Sequence, residues 1–322
     1  MLQLEVDRRQ QIDSSFLTNE KEVALNSHNT TLNLLLSNCS VNYDFLGLYY
    51  RFTSKNLKLI RLEDSELEDT GFQKVLSKLQ GVQFPQLKEI SMSGVQIELL
   101  DESSQKQFMG LLSGGKIIRI DVDSNQLQKN FCETIYNASS QNFLSNLTIL
   151  NLSKNPISDS GAKFIALAIK FTINLRELYL NNCELSVNFL EEIIESVMPL
   201  KNIQLLDLSG NNLIKQIVPR KVFSNQKDFM SKKLMIDLSY CDFTDEYIYW
   251  VANLIKSNYK IQKINLSYND GIMNQGMIDL LESLKFNDYL EELDLSNCYI
   301  LQFYTHIKDV RIKSEFNDLN YK

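Results

Sequence analysis

Apolar residues recur along the chain with a fixed internal spacing. Leu147, Leu150 and Leu152 stand before Asn155, and Leu175, Leu178 and Leu180 stand before Cys183, 28 residues later. Written as apolar, x, x, apolar, x, apolar, x, x, then Asn or Cys, the unit starts at Thr31, Leu57, Leu87, Ile117, Leu147, Leu175, Ile203, Lys233, Ile261 and Leu290, at intervals of 26 to 30 residues. Leu2, Leu4 and Asp7 fit the end of the same pattern one interval earlier and predict an opening strand, which gives about eleven units. Apolar side chains two apart, such as Leu206 and Leu208, share one face of a short strand. After the strand the spacing changes to i, i+3, i+4, i+7, at Phe72, Val75, Leu76 and Leu79 and again at Phe164, Leu167, Ala168 and Phe171, which predicts helices with those residues facing inward. The fold class is therefore α/β, a solenoid of strand-helix units. Each unit buries its apolar face only against its neighbours, and the helical crossovers make the sheet parallel.

Local signals place the boundaries. Asp69-Thr70-Gly71 and Asp159-Ser160-Gly161 predict capping side chains ahead of a helix, and Gly114-Gly115 predicts a helix end. The stretch between Ile203 and Lys233 is polar and broken at Pro219, so its helix is expected to be short and displaced, and Lys233 occupies a normally apolar position. A helix is expected over Thr244 to Ile255, with Trp250, Tyr247 and Phe243 in core packing, in lateral helix contact or as a partner anchor. After Leu290 the pattern decays; Ile307, Val310 and Ile312 predict a last irregular strand or a capping segment. The domain expectation is one repeat domain over 1–300 and a C-terminal capping segment over 301–322.

Composition changes this picture little. A hydrophobic content of 44% supports a continuous core, and the net charge of -7 argues against a general nucleic-acid binder. No apolar run suits a signal peptide or a membrane span, so a soluble, cytoplasmic protein is the expectation, without membrane or nucleic-acid partners. Cys39, Cys183, Cys241 and Cys298 fall at the ninth position of the repeat, where other units carry Asn125, Asn155, Asn211 and Asn269; only Cys132 lies outside the series. A buried, reduced role follows, because repeat cysteines two units apart stand roughly 10 Å apart at the strand spacing, beyond disulfide reach. His28 and His306 lie near opposite ends of the chain, and no phosphate-loop, dinucleotide, zinc-protease or nucleophile-elbow motif occurs. No catalytic residue, cofactor or metal is expected, and the protein is read as a non-enzyme.

The third, fifth and seventh positions of each unit point away from the core. They carry more acid than base, above all at the fifth position through Asp121, Asp207, Asp237 and Asp294. The candidate partner-binding face comprises Arg61, Glu89, Arg119, Asp121, Asp123, Glu177, Tyr179, Asp207, Asp237 and Asp294, and its complement is a protein with a basic surface. The competing reading is a solvated face whose Asp, Asn and Ser merely suit closely spaced strands. Arg220, Lys221, Lys227, Lys232 and Lys233 form a separate basic patch that suits an anion or an acidic protein.

The LxxLxLxxN pattern, at 28 to 30 residues in most units and with a helix in each, resembles the ribonuclease-inhibitor-like leucine-rich repeats across nearly the whole chain. The resemblance implies a right-handed horseshoe with strands on the concave side and helices outside. It transfers no activity, because Leu147, Leu150, Leu152 and Asn155 are scaffold positions. That family includes inhibitors, innate-immune receptor portions, actin regulators, the Ran GTPase-activating protein and axonemal subunits. The richness in Asn, Lys, Ile, Gln and Tyr resembles proteins of AT-rich protist genomes, ciliates included. The functional expectation is a scaffold subunit of a multiprotein assembly, cytoskeletal and ciliary or axonemal in kind. The alternatives are a Ran-type GTPase-activating protein and a substrate adaptor for ubiquitination.

Overall fold

The computed structural model describes residues 2–7, 11–12, 32–37, 40–41, 46, 49, 55–67, 76–77, 81–95, 97, 101–211, 234–257, 261–299, 306–307 and 310–313. The chain divides into two compact units, Met1–Leu175 and Arg176–Lys322.

The strands of the first unit are β1 (Leu2–Asp7), β2 (Gln11–Ile12), β3 (Leu32–Ser37), β4 (Ser40–Val41), β5 (Leu57–Glu63), β6 (Glu66–Leu67), β7 (Glu89–Ser93), β8 (Arg119–Asp121) and β9 (Ile149–Asn151). Strands β1, β3, β5, β7, β8 and β9 pair in that order, all parallel, while β2, β4 and β6 form a small parallel sheet of their own. Helices α1 (Glu102–Leu112), α2 (Lys129–Ser140) and α3 (Ser158–Ile169) lie in the crossovers. The second unit repeats the plan with β10 (Glu177–Tyr179), β11 (Leu205–Asp207), β12 (Leu234–Asp237), β13 (Ile261–Asn265) and β14 (Glu292–Asp294), parallel and in sequence order. Its helices are α4 (Val187–Val197), α5 (Asp245–Ser257) and α6 (Asn274–Leu284). Beyond β14, β15 (His306–Ile307) pairs antiparallel with β16 (Val310–Lys313), and β16 continues the parallel sheet, so Ile307, Val310 and Ile312 lie on strands as expected.

The fourth and sixth repeat positions face the core. Ile120 and Val122, Leu150 and Leu152 are buried in the first unit, as are Leu206 and Leu208, Ile236 and Leu238, and Leu293 and Leu295 in the second. The residue at the eighth position takes a left-handed backbone: Asp64, Gly94, Ser124 and Lys154 in the first unit, and Asn182, Gly210, Tyr240, Tyr268 and Asn297 in the second, with φ between 47° and 67°. That conformation costs a non-glycine residue about 1–2 kcal/mol, and the next residue offsets it. The side chain at the ninth position turns inward and bonds backbone groups that the turn would leave unpaired. Asn125 Oδ1 accepts from Val95 and Ile97 N-H at 3.1 and 3.0 Å, and its Nδ2 donates to Met92 and Val122 carbonyls. Asn211 serves Cys183, Leu185, Leu180 and Leu208 in the same way, and Asn269 serves Cys241, Phe243, Leu238 and Leu266.

Cysteine at this position keeps the bond to the carbonyl of the preceding repeat. The Cys298 thiol donates to Leu266 O at 3.2 Å and the Cys241 thiol to Leu208 O at 3.5 Å. Cys132, Cys183, Cys241 and Cys298 are all free and buried, while Cys39 and His28 lie outside the described residues. Burial pushes the Cys241 and Cys298 thiols up to about 12, so thiolate is scarce at pH 8 and both are inert nucleophiles. Native protein treated with iodoacetamide at pH 8 is expected to leave these two unmodified by peptide mass mapping, and urea-unfolded protein to be alkylated at both.

The structure corrects two local readings. Asp159, Ser160 and Gly161 lie inside the first turn of α3, which begins at Ser158 with no side-chain cap bond, so they do not precede the helix as expected. The inward stripe of α3 is Gly161, Ala162, Ile165, Ala166, Ala168 and Ile169, and Phe171 stands outside. Close approach of α2 and α3 is the reason: a Cβ on Gly161 would meet Ile157 Cγ2 at 2.6 Å and Cys132 Sγ at 3.1 Å. Aromatic rings are too large for that contact. Phe164 and Phe171 instead pack with Tyr136, at centroid distances of 6.1 and 6.3 Å. Gly161→Ala is expected to lower stability by about 1–3 kcal/mol through overpacking, read as a lower urea midpoint with an unchanged slope. Gly115 follows α1 with φ 66°, as its position predicted. The segment around Asp69-Thr70-Gly71, most of the Phe72–Leu79 helix, the stretch with Pro219 and the basic residues Arg220 to Lys233 lie outside the described residues.

Candidate functional site

The third, fifth and seventh side chains of each strand lie on the sheet face opposite the buried one, half-exposed in most cases. Their local geometry differs between the two units.

In the first unit two pairs of opposite charge form within a strand. Arg119 and Asp121, two apart and therefore on the same face, form an ion pair with Nη2 donating to Oδ2 at 2.5 Å, and Asn151 on the next strand donates to Asp121 Oδ1 at 2.8 Å. Asp121 is 8% exposed, and burial raises its carboxyl above the usual range against the opposing pull of Arg119. Arg61 Nε lies 3.3 Å from Glu63 in the same arrangement. Asp123 accepts from the Ser124 hydroxyl at 3.0 Å, and Glu89 stands in register with Arg119 across the strand pair. Arg61, Arg119 and Asp121 are thus matched by partners within the chain.

In the second unit the fifth-position carboxylates cap the ends of their own strands. Asp207 Oδ1 accepts from Ser209 N-H at 3.0 Å and from its hydroxyl at 2.7 Å, and Asp237 does the same with Ser239 at 2.9 and 2.7 Å. Asp294 accepts from Ser296 N-H at 2.9 Å. Asparagine performs this role at Asn265, bonded to Ser267 N-H at 3.1 Å or less, which shows that the turn needs the acceptor oxygen and not the charge. The charge is therefore surplus to the fold. Asp237 Oδ2 is met by Asn265 Nδ2 at 3.0 Å, yet Asp207 and Asp237 stand directly opposite in the strand register. No ion pair joins either to a lysine or arginine among the described residues. Burial raises the Asp207 carboxyl, and the Asp237 charge raises it further. Lys263 is already paired with Glu292 at 3.3 Å, and the Tyr179 hydroxyl donates to Glu177 Oε2 at 2.9 Å.

The structure adds a tyrosine pair to the residues chosen from sequence and places Trp250 in one of the roles expected for it. Tyr240 and Tyr268, at the eighth position of adjacent repeats, stack with centroids 4.2 Å apart and ring planes 10° apart, while 56% and 41% exposed. The signal was present in Leu-Ser-Tyr-Cys at 238–241 and Leu-Ser-Tyr-Asn at 266–269, which put an aromatic residue at one repeat position twice in succession. Trp250 is 2% exposed and donates its indole N-H to Glu191 Oε1 at 2.7 Å, a lateral helix contact between α5 and α4. Among the described residues no group of three His, Cys, Asp or Glu is placed to hold a metal ion, and no helix is long and apolar enough to cross a membrane.

Leucine-rich repeat models match residues 143–166 and 174–196, and the observed strand-helix repeats with a parallel sheet are those of a leucine-rich repeat solenoid domain. NACHT, LRR and PYD domains-containing protein 5 of Mus musculus is 26% identical over 171 residues, 53% of this chain and 14% of that protein. Protein 13 of the same series from Homo sapiens is 24% identical over 263 residues, covering 81% of this chain and 24% of its own length. The chain thus spans a quarter or less of these relatives. Among solved structures, the yeast Rad7 and Elc1 complex aligns with a TM-score of 0.38 at 15% identity, covering 91% of this chain and 84% of the matched one. A complex of Latrophilin 3, Unc5D and FLRT2 aligns at 0.48 and 12%, covering 88% and 83%.

Proposed function

We propose that this chain is a non-enzymatic protein-binding scaffold. Within the candidate face, the acidic sheet surface of the second unit, centred on Asp207 and Asp237 with Asp294 and Glu177 further along the same face, receives a partner with a basic surface. The observation that supports this is the in-register Asp207 and Asp237 pair, since like charges directly opposite on a sheet are destabilising and a cation from outside relieves them. In the first unit Arg61 and Arg119 already pair with Glu63 and Asp121. The repeat domain is taken as residues 1–300, with 301–322 covering its C-terminal end. The net charge of -7 sets the whole chain against nucleic acid.

Zero-length carbodiimide crosslinking in native extract, read by mass spectrometry, is the direct test, because it joins carboxylates to amines in contact. Crosslinks from partner lysines should concentrate at Asp207, Asp237 and Asp294, and Asp207→Asn with Asp237→Asn should sharply lower the yield at the remaining Asp294. Capture of the same partner at undiminished yield by that double variant would overturn the proposal. The identity of the partner then selects the setting: axonemal subunits for a ciliary assembly, a small GTPase for the Ran-type reading, or ubiquitin-ligase subunits for a substrate adaptor.

A further inference from the structure

Among the described residues of the second unit, the turns that follow the strands carry residues at the eighth repeat position that stand outside the core. In chain order they are Asn182, Gly210, Tyr240, Tyr268 and Asn297. Tyr240 and Tyr268 cover one face of each other and remain 56% and 41% exposed. Two residues after each of them, at the tenth position, stands an exposed aspartate, Asp242 and Asp270. On the other side of Tyr240 stands Gly210, which contributes no side chain; the amide of the exposed Asn182 lies over it, with Oδ1 2.4 Å from where a Gly210 Cβ would be. Tyrosine rings, carboxylates and an amide thus occupy the turns of neighbouring repeats, and two of these turns follow the strands that carry Asp207 and Asp237.

We infer that these turns form an arginine-docking element, in which a guanidinium from a basic segment of the partner stacks on the Tyr240 and Tyr268 pair while Asp242 and Asp270 hold its charge. The inference rests on the basic-partner reading above and sharpens it from any cation to arginine. The chemistry favours arginine over lysine for a physical reason. A guanidinium is planar and weakly hydrated, so it stacks on a ring while its edge donors reach carboxylates, whereas an ammonium is a strongly hydrated point charge. The acid around the rings opposes an anionic ligand.

The test uses the full chain and two fluorescent peptides of equal charge, four repeats of Arg-Gly-Ser and four of Lys-Gly-Ser, titrated by anisotropy at two salt concentrations. The arginine peptide is expected to bind about fivefold more tightly than the lysine peptide, the size of an exposed cation-π contact. Tyr240→Asn with Tyr268→Asn should abolish that preference. Asparagine already occupies this left-handed position at Asn182 and Asn297, so the fold is retained, and unchanged Trp250 emission checks it. Equal binding of the two peptides to the native chain, or a preference that survives in the tyrosine double variant, overturns the inference. If both peptides then still bind and Asp207→Asn with Asp237→Asn weakens them alike, the acidic-face reading stands without the arginine element. If neither peptide binds the native chain, both readings fall.

Discussion

Asn269→Ala is expected to destabilise the second unit by about 4 kcal/mol, among the largest effects any single substitution should have here. The side chain is fully buried and holds four backbone groups at 2.7–3.0 Å: N-H of Cys241 and Phe243, and the carbonyls of Leu238 and Leu266. A buried backbone group left without a partner costs about 1–3 kcal/mol, and settling of the turn or entry of water recovers part of the sum. The control is Asn269→Cys. Thiols at Cys241 and Cys298 already donate to the corresponding carbonyls, but a thiol cannot replace the amide oxygen as acceptor for two N-H groups. Cysteine should therefore lose less than alanine but leave a protein less stable than the parent. Urea denaturation followed by circular dichroism orders the three proteins, and an alanine variant as stable as the parent would mean that the buried amide is not what supports the turn.

Trp250→Ala should cost a similar amount, about 3–5 kcal/mol, by opening a large cavity. Trp250 joins α5 to α4, whose strands β12 and β10 lie two places apart in the sheet, through a bond spanning 59 residues of sequence. Separating packing from hydrogen bonding requires Trp250→Phe, which keeps most of the apolar volume and loses the indole donor to a carboxylate 5% exposed. Its expected cost is about 2 kcal/mol, the range for bonds to charged groups. As the chain has one tryptophan, the parent's emission reports unfolding of the second unit directly. The phenylalanine variant must be followed by circular dichroism. Equal stability of Trp250→Phe and the parent would show that ring volume alone matters at this site.

The repeat itself was readable because strand spacing of two and a fixed Asn or Cys impose independent constraints on the same residues. Leu150, Leu152 and Asn155 satisfy them together, and all three are buried. The inward face of α3 was not readable, because Phe164 and Phe171 form as regular an apolar stripe as Ala162, Ile165, Ala166 and Ile169. Periodicity cannot choose between two apolar stripes; the tight approach at Gly161 chooses the small one. A similar limit applied to the acidic row. Counting charges by position gave their sign, but Arg119 with Asp121 is a pair within one strand, and Asp207 with Ser209 is a turn. The Asp-x-Ser and Asn-x-Ser spacing at 151, 207, 237, 265 and 294 carried that second meaning. The repeat pattern leaves the eighth position unspecified, so nothing in it marks Tyr240 and Tyr268 as an exposed pair.

The buried amides have a direction. Asn125, Asn155, Asn211 and Asn269 each reach back to the repeat before them, as do the thiols of Cys241 and Cys298. A ribosome releases the chain in that same order. Each newly emerged repeat therefore seals its predecessor, and within a unit the turn still waiting for its buried amide is always the one most recently translated.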